Sequence, residues 1–116
     1  MDSLRCEYAP AMSHTAGREG DVPAYVVVQT RGVKDPTAMG EYRQKVGATI
    51  DRYGGKVRVA GKKCEALEGD WQPALVIIEF DSVERARAWY DSAEYRPLRD
   101  IRHRSADVDL VIVEGI

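Results

Sequence analysis

The sequence predicts an α+β domain of the ferredoxin-like βαββαβ type, whose antiparallel sheet closes into a dimeric α/β barrel with a second copy of the chain. Three observations support this prediction. Short β-branched runs alternate with amphipathic helical stretches. Capping residues and glycines separate these segments. The strands are apolar on both faces, so helices on one side cannot bury them completely. At 116 residues, the chain has room for one domain.

The first strand and the first helix have clear boundaries in the sequence. The run AYVVVQT at 24–30 is rich in β-branched residues and predicts β1. Asp35 and Pro36 supply an N-cap and a first-turn proline, and Gly54 and Gly55 supply the stop of a helix. The apolar residues of this helix fall on one stripe: Met39, Tyr42, Val46, Ile50 and Tyr53.

The second half of the chain repeats the pattern. Residues 56–69 alternate polar with apolar around Gly61 and predict a bulged, charged edge strand or hairpin, β2. ALVIIEF at 74–80 predicts β3, and VDLVIVE at 108–114 predicts β4. Between them, Asp81 and Ser82 cap a second helix, and a further helix or turn is expected from about 95 to 105. The apolar side of the second helix consists of Val83, Ala86, Trp89, Tyr90 and Ala93.

The N-terminal segment differs from the rest of the chain. Residues 1–22 mix Ser, Gly, Ala, Pro and charged residues without periodicity, which predicts a flexible tail. The folded domain is therefore expected to span 23–116. Both Met1 and Met12 are consistent with the true start.

Composition narrows the class of protein. The chain is 44% hydrophobic and 31% charged, and its net charge of -2 gives no general attraction to nucleic acid. The two cysteines, Cys6 and Cys64, are far apart and are expected to be free thiols in a reducing compartment. No stretch approaches the roughly 20 apolar residues that span a bilayer, and the start lacks a secretory apolar run. We therefore expect a cytoplasmic protein with no nucleic-acid or membrane partner.

The strands predict self-association because both of their faces are apolar. In β3, Val76 and Ile78 point to one face, and Leu75 and Ile77 point to the other. Two helices bury only one face, and an exposed apolar patch of that size favours association. A second copy of the chain is the expected cover. The alternative is a monomer whose tail folds over the open face.

Arg102 stands out within the charged segment 95–105. At about 100° per residue, Arg102 falls on the apolar side with Tyr95 and Leu98. A buried guanidinium requires an acceptor, which can be a carboxylate in the sheet or an anionic ligand. Glu79, the only acid within β3, is the first candidate for the carboxylate. A structural Arg-Glu pair or a snorkelling arginine remains the alternative. The polar side of this segment carries Arg96, Arg99, Asp100 and His103.

Aromatic residues could enclose a ligand beside Arg102. Trp89, Tyr95 and Tyr25 are the candidates for the walls of such a pocket, although aromatic residues at helical spacing are more often core. His14 lies in the predicted tail and His103 on a solvent-facing side, so the sequence predicts neither a metal site nor a cofactor. No nucleophile triad and no phosphate-binding glycine loop is recognisable.

From about Ala24 to Gly115 the sequence resembles the domain-of-unknown-function family DUF1330, within the dimeric α/β barrel superfamily. The resemblance implies the ferredoxin-like fold and a dimer, and it implies no reaction. It is carried by Tyr53-Gly54-Gly55, Leu67-Glu68-Gly69-Asp70-Trp71, Ile78-Glu79-Phe80-Asp81-Ser82, Ala88-Trp89-Tyr90-Asp91-Ser92-Ala93-Glu94-Tyr95, Arg102 and Val113-Glu114-Gly115.

Three functions are consistent with the sequence. The first is a small-molecule-binding homodimer, in which Arg102 holds an anionic group. The second is a cofactor-independent enzyme of the oxygenase or isomerase type, in which Glu79 is the base and Arg102 stabilises the anion that forms. The third is a structural or interaction dimer without a pocket.

Overall fold

The computed structural model describes residues 22–61, 63–71 and 74–116. The predicted N-terminal tail therefore lies, except for its last residue, outside the described residues. The described part forms an α+β domain with the predicted order of elements. These are β1 (Ala24–Val33), α1 (Pro36–Arg52), β2 (Lys56–Gly61), β3 (Ala74–Phe80), α2 (Val83–Tyr90), α3 (Arg96–Ser105) and β4 (Ala106–Glu114).

The four strands form one antiparallel sheet in the order β2-β3-β1-β4. Val26 in the centre of β1 pairs with Ile78 of β3 and with Ile112 of β4. β2 is an edge strand, as predicted, but its register shifts between Val57 and Val59, not around Gly61. Gly61 ends the strand, so the irregularity lies within β2.

The helices begin where the sequence places its caps. The Asp35 side chain accepts a hydrogen bond from the backbone N–H of Ala38 at 3.1 Å. The Ser82 hydroxyl does the same for Arg85, also at 3.1 Å. Each such cap stabilises its helix by about 1 kcal/mol. None of the helices in the described ranges is long and apolar enough to cross a membrane.

The helices cover one face of the sheet and form the core with it. Val26 and Phe80 are 0% exposed, and Trp89 of α2 is 1% exposed. Ile50 and Met39 of α1 are buried, while the other residues of the predicted stripe pack against the core as partly buried side chains. The predicted amphipathic stripe of α1 is therefore confirmed, and it positions Tyr42 next to the core.

Gly55 allows α1 to meet the sheet closely. A Cβ at this position would lie 2.7 Å from Cγ2 of Ile50 and 2.7 Å from Cε1 of Phe80, which is closer than atoms pack. Its neighbour Gly54 has a φ of 78°, a conformation that glycine adopts without strain. The two glycines thus end the helix and let the chain pass against the Phe80 ring.

Candidate functional site

The structure separates the predicted site residues into two groups. Arg102, Trp89 and Tyr95 lie between the helices and the sheet, where each is buried. Tyr25 and Glu79 pair with each other across β1 and β3, on the opposite face of the sheet. Tyr25 therefore does not enclose a ligand together with Trp89 and Tyr95, because successive residues of β1 point to opposite faces.

Arg102 is held in a cluster of tyrosines between α1 and α3. Its side chain is buried, with 4% of the residue exposed. Its Nη1 donates a hydrogen bond to Oη of Tyr95 at 3.0 Å, and Oη of Tyr95 lies 2.7 Å from Oη of Tyr42. The Nε of Arg102 is buried and has no hydrogen-bond partner among the described residues. One guanidinium donor is therefore left unsatisfied.

The predicted Arg102–Glu79 pair is wrong. Glu79 accepts a hydrogen bond from Nε of Arg58 at 2.8 Å, on the open face of the sheet. The alternation of β3 places Glu79 on the face with Leu75 and Ile77, away from the helices. Among the ion pairs of the described ranges, none includes Arg102.

The tyrosines around Arg102 do not supply a negative charge. Burial raises the pKa of Tyr95 far above its ordinary value, and burial also raises the pKa of Tyr42. Both phenols are therefore neutral at physiological pH. The cluster holds a buried positive charge with hydrogen-bonding neighbours but without a counter-ion in the described part of the chain.

Trp89 and Tyr95 give the cluster a rigid aromatic base. Their ring centroids are 4.2 Å apart. Trp89 also donates from Nε1 to Oγ1 of Thr49 at 3.0 Å, and the backbone N–H of Tyr95 donates to Oγ of Ser92 at 3.1 Å. Both rings are almost fully enclosed and belong to the hydrophobic core, which fixes the position of the Tyr95 hydroxyl.

A cleft runs along the helix-covered side of the edge strand β4. It has a volume of about 400 Å³ and is lined by Arg87, Tyr90, Leu110 and Ile112. The Tyr90 ring lies 6.0 Å from the Tyr95 ring, so Tyr90 connects the wall of the cleft to the Arg102 cluster. The cleft therefore combines apolar walls with a cationic rim.

On the helix-covered face of the sheet, the side chains at one end are more completely buried than those at the other. Ala24, Phe80 and Val26 are completely buried. Two residues further along β1, Val28 pairs with Val76 and Leu110, and all three are only partly buried. Leu110, at the less buried end of the sheet, also lines the cleft.

The open face of the sheet carries an apolar band. Val27 pairs with Ile77 and Val111, and Ile77 pairs in turn with Val59. Val111 is 51% exposed, and Val113 in the next row is 47% exposed. Ion pairs flank the band on this part of the sheet, namely Arg58–Glu79 and Arg31–Asp109.

Sequence reasoning missed Tyr42, Tyr90 and Arg87 as members of the site. Tyr42 and Tyr90 lie among the predicted inward-facing aromatic residues, and a hydroxyl within an apolar stripe needs a partner when buried. That requirement was the available signal. His103 lies on the exposed side of α3, as expected, and partial burial lowers its pKa. Within the described ranges, no three His, Cys, Asp or Glu side chains are grouped to hold a metal ion. Cys6 and His14 lie outside those ranges.

Comparisons with known proteins agree with this fold. The model of the family described as "Domain of unknown function (DUF1330)" matches residues 23–116. The predicted family resemblance is thereby confirmed. No curated protein matches the chain.

Several solved structures share the fold at low sequence identity. A protein of unknown function from Rhodopseudomonas palustris has a TM-score of 0.68 and 19% identity, covering 92% of each chain. SnoaB, a cofactor-independent oxygenase from Streptomyces nogalater, has a TM-score of 0.54 and 11% identity, covering 83% of this chain and 94% of its own. A dimeric protein of unknown function and ferredoxin-like fold from Bacteroides fragilis has a TM-score of 0.52 and 13% identity, covering 83% and 97%. At these identities the similarity concerns the fold alone.

Proposed function

Since the chain belongs to the DUF1330 family, whose description assigns no function, we propose a function from the site itself. The protein binds a small anionic molecule beside Arg102, between the helices and the sheet, and works as a homodimer joined through the open sheet face. The single observation that carries the binding proposal is the buried guanidinium of Arg102, which among the described residues has no counter-ion and an unsatisfied Nε.

A buried unpaired charge is unfavourable for folding. Removing an ion from water carries an effective penalty of several kcal/mol, and only a matching charge with good hydrogen bonds offsets that penalty. The Tyr95 hydroxyl satisfies one donor of Arg102 but supplies no charge. An anionic oxygen placed at the guanidinium would supply both the charge and the missing acceptor. The cluster is therefore suited to bind an anion.

The competing interpretation is a structural arginine that only fills the core. A structural arginine at this depth is normally paired with a carboxylate, and its remaining donors are satisfied. Arg102 departs from both expectations within the described residues. Its burial also leaves the head group little contact with water, which argues against a snorkelling side chain.

The cleft suggests the rest of the ligand. Leu110, Ile112 and the Tyr90 ring offer apolar and aromatic surface, and Arg87 adds positive charge. The cleft is open to solvent, so it would cover one side of a ligand rather than enclose it. We expect a compact molecule with a planar or apolar body and one acidic group, and the protein needs no cofactor to bind it.

The open sheet face supports the homodimer. Its apolar band includes Val111 and Val113, which are about half exposed in a single chain. In a two-fold dimer, the apolar band of each chain would pack against the same band of the other chain. The similar protein from Bacteroides fragilis is dimeric and has the same type of fold. Two sheets packed in this way would form the proposed barrel.

Catalysis is the second candidate, and one neighbour favours it. SnoaB is a cofactor-independent oxygenase with this fold. However, a mechanism in which Glu79 and Arg102 act in one cleft has no support, because the two side chains lie on opposite faces of the sheet. Binding is therefore the function that the site supports best.

The binding proposal can be tested by titration with benzoate, phenylacetate and inorganic phosphate. Trp89 reports on the site because its ring packs 4.2 Å from that of Tyr95. The other tryptophan, Trp71, is half exposed and can be replaced by phenylalanine to give a clean signal. We expect at least one of the three anions to quench or shift the Trp89 emission in a saturable way.

Two arginine variants of α3 make the test specific. Arg102→Met should weaken the binding of that anion by about 10-fold to 100-fold, as expected for loss of a charged hydrogen bond. Arg104→Met, on the exposed side of the same helix, should change it by less than about twofold. Circular dichroism checks that both variants fold. Equal affinities in wild type and Arg102→Met, or no binding of any of the three anions, would contradict the proposal.

A further inference from the structure

The hydrogen bonds around Tyr95 have a defined direction. The Oη of Tyr95 receives a hydrogen bond from Arg102 and lies 2.7 Å from Oη of Tyr42. A phenol carries one proton, and Tyr95 is 0% exposed. Among the described residues, Oη of Tyr42 is the only hydrogen-bond acceptor at that hydroxyl. Tyr95 must therefore donate to Tyr42, since the reverse direction would leave a buried O–H unsatisfied.

This direction leaves the proton of Tyr42 available. The Tyr42 oxygen accepts from Tyr95, and no acceptor for its own O–H is present in the described ranges. Tyr42 is half-buried, whereas Tyr95 is enclosed. The chain of donors therefore runs from Arg102 through Tyr95 to Tyr42, and its last proton is on the most accessible of the three side chains.

The chain also polarises the Tyr42 hydroxyl. Burial raises the pKa of Tyr42, while the hydrogen bond from Tyr95 and the positive charge of Arg102 act against that rise. Burial raises the pKa of Tyr95 as well, and donating to Tyr42 raises it further. The surroundings of the two phenols are thus unequal, because only Tyr42 has both a donating neighbour and an O–H without an acceptor among the described residues.

We propose that Tyr42 donates a second hydrogen bond to the ligand's anionic oxygen beside Arg102, with Tyr95 positioned behind it. The inference rests on the proposed anion-binding function and names its ligand class. Because Tyr42 offers a single donor and the Tyr90 ring a flat wall, the arrangement matches an oxyanion conjugated to a planar system, such as a phenolate or an enolate. Tyr95 is a positioning residue in this arrangement, because it acts through Tyr42.

The test uses 4-nitrophenol, whose ionised form absorbs at longer wavelength than its neutral form. Wild-type protein should bind it as the phenolate and shift the visible absorption. Tyr42→Phe keeps the ring and removes only the hydroxyl, and it should weaken binding by about 10-fold to 100-fold. Tyr53→Phe is the matched control in the same region of the chain. Its hydroxyl donates to Glu94, outside the cluster, so the control should bind within about twofold of wild type.

The outcomes separate this inference from the binding proposal. Loss of binding in Arg102→Met with unchanged binding in Tyr42→Phe would overturn the role of Tyr42 and leave anion binding intact. Failure of wild type to bind 4-nitrophenolate while it binds benzoate would overturn the proposed ligand class. Failure to bind every anion tested would overturn both proposals.

If Tyr42→Phe does not fold, a measurement on the wild-type protein without ligand tests the same inference. The protein can be labelled with 13C at Cζ of tyrosine, and each phenol followed by NMR as the pH is raised. The inferred direction requires Tyr42 to ionise before Tyr95. The reverse order would overturn the proposed donor chain without any binding experiment.

Discussion

The two faces of the sheet are built from the same kinds of residue but have opposite environments. On the covered face, Val26 and Phe80 are completely buried by the helices. On the open face, Val111 and Val113 remain about half exposed in a single chain. The difference shows that a strand with apolar side chains on both faces needs a separate packing partner for each face. The helices are the first partner, and we propose that a second copy of the chain is the other.

The charged residues on the two faces also differ in their environments. Glu79 on the open face is paired with Arg58, and both side chains keep contact with solvent. Arg102 on the covered face is buried, and no carboxylate of the described residues pairs with it. Solvent screens the first pair, so it has little effect on stability. The unpaired charge of Arg102 is the feature on which the ligand-binding proposal rests.

The largest expected effect tests the covered face. Phe80→Ala should lower the free energy of unfolding by about 3–5 kcal/mol, because it opens a cavity beside Trp89. The loss should be the same at low and at high protein concentration, since these contacts lie within one chain. Urea unfolding at two concentrations measures it. A loss below about 1 kcal/mol would contradict the described core.

A smaller effect is expected where α1 meets the sheet. Gly55→Ala should destabilise the fold by about 1–3 kcal/mol, because its Cβ would lie 2.7 Å from Ile50 and Phe80. Gly47→Ala is the matched control within α1, where the added Cβ meets no atom within 4 Å. The control should raise stability by up to about 1 kcal/mol, as expected for alanine in a helix. Thermal unfolding of both variants distinguishes packing from helix propensity.

The covered face also predicts a response to alkaline pH. The pKa of Tyr95 is higher in the folded chain than its ordinary value of 10.0, so the unfolded chain loses this proton first. The stability contributed by neutral Tyr95 is therefore complete below about pH 10 and falls as the pH rises above it, by up to about 1.4 kcal/mol per pH unit.

Tyr95→Phe removes that dependence, although it also removes hydrogen bonds at every pH. The variant should therefore lose stability less steeply than wild type between about pH 10 and pH 11. Urea unfolding across this range gives both slopes. Equal slopes would show that Tyr95 ionises as readily in the folded chain as in the unfolded one.

The smallest expected effect concerns the open face. Glu79→Gln should change the free energy of unfolding of one chain by no more than about 1 kcal/mol, because the Arg58–Glu79 pair is partly exposed. At concentrations at which the dimer forms, the loss should increase, because Arg58 would then be covered without its partner. The same small loss at all concentrations would mean that this part of the face stays in solvent.

Most of the fold could be predicted from the sequence because it follows from local patterns. Asp35 and Ser82 fix the helix starts, and the apolar run of β3 has the predicted boundaries. Helical periodicity also placed Arg102 on the buried side of α3, which the structure confirms. These features depend on neighbours three or four residues away, or on alternation along one strand.

The site was predicted less well because it depends on contacts between distant elements. Arg102 and Glu79 were expected to pair, but the faces of β3 and the position of α3 place them on opposite sides of the sheet. Tyr42 meets Tyr95 across 53 positions of the chain. Periodicity predicts the face of an element on which a residue lies. It does not predict which buried hydroxyl or charged group that residue contacts.

The most direct test of the whole account is native mass spectrometry with benzoate, the anion used above, on wild type, Val111→Lys and Arg102→Met. We predict a wild-type dimer with bound benzoate. Val111→Lys should be a monomer that still binds benzoate, because the Arg102 cluster lies within one chain. Arg102→Met should remain a dimer and lose the ligand. A dimer in Val111→Lys, or bound benzoate in Arg102→Met, would contradict the assignment of the open face to self-association and of the covered face to an anion.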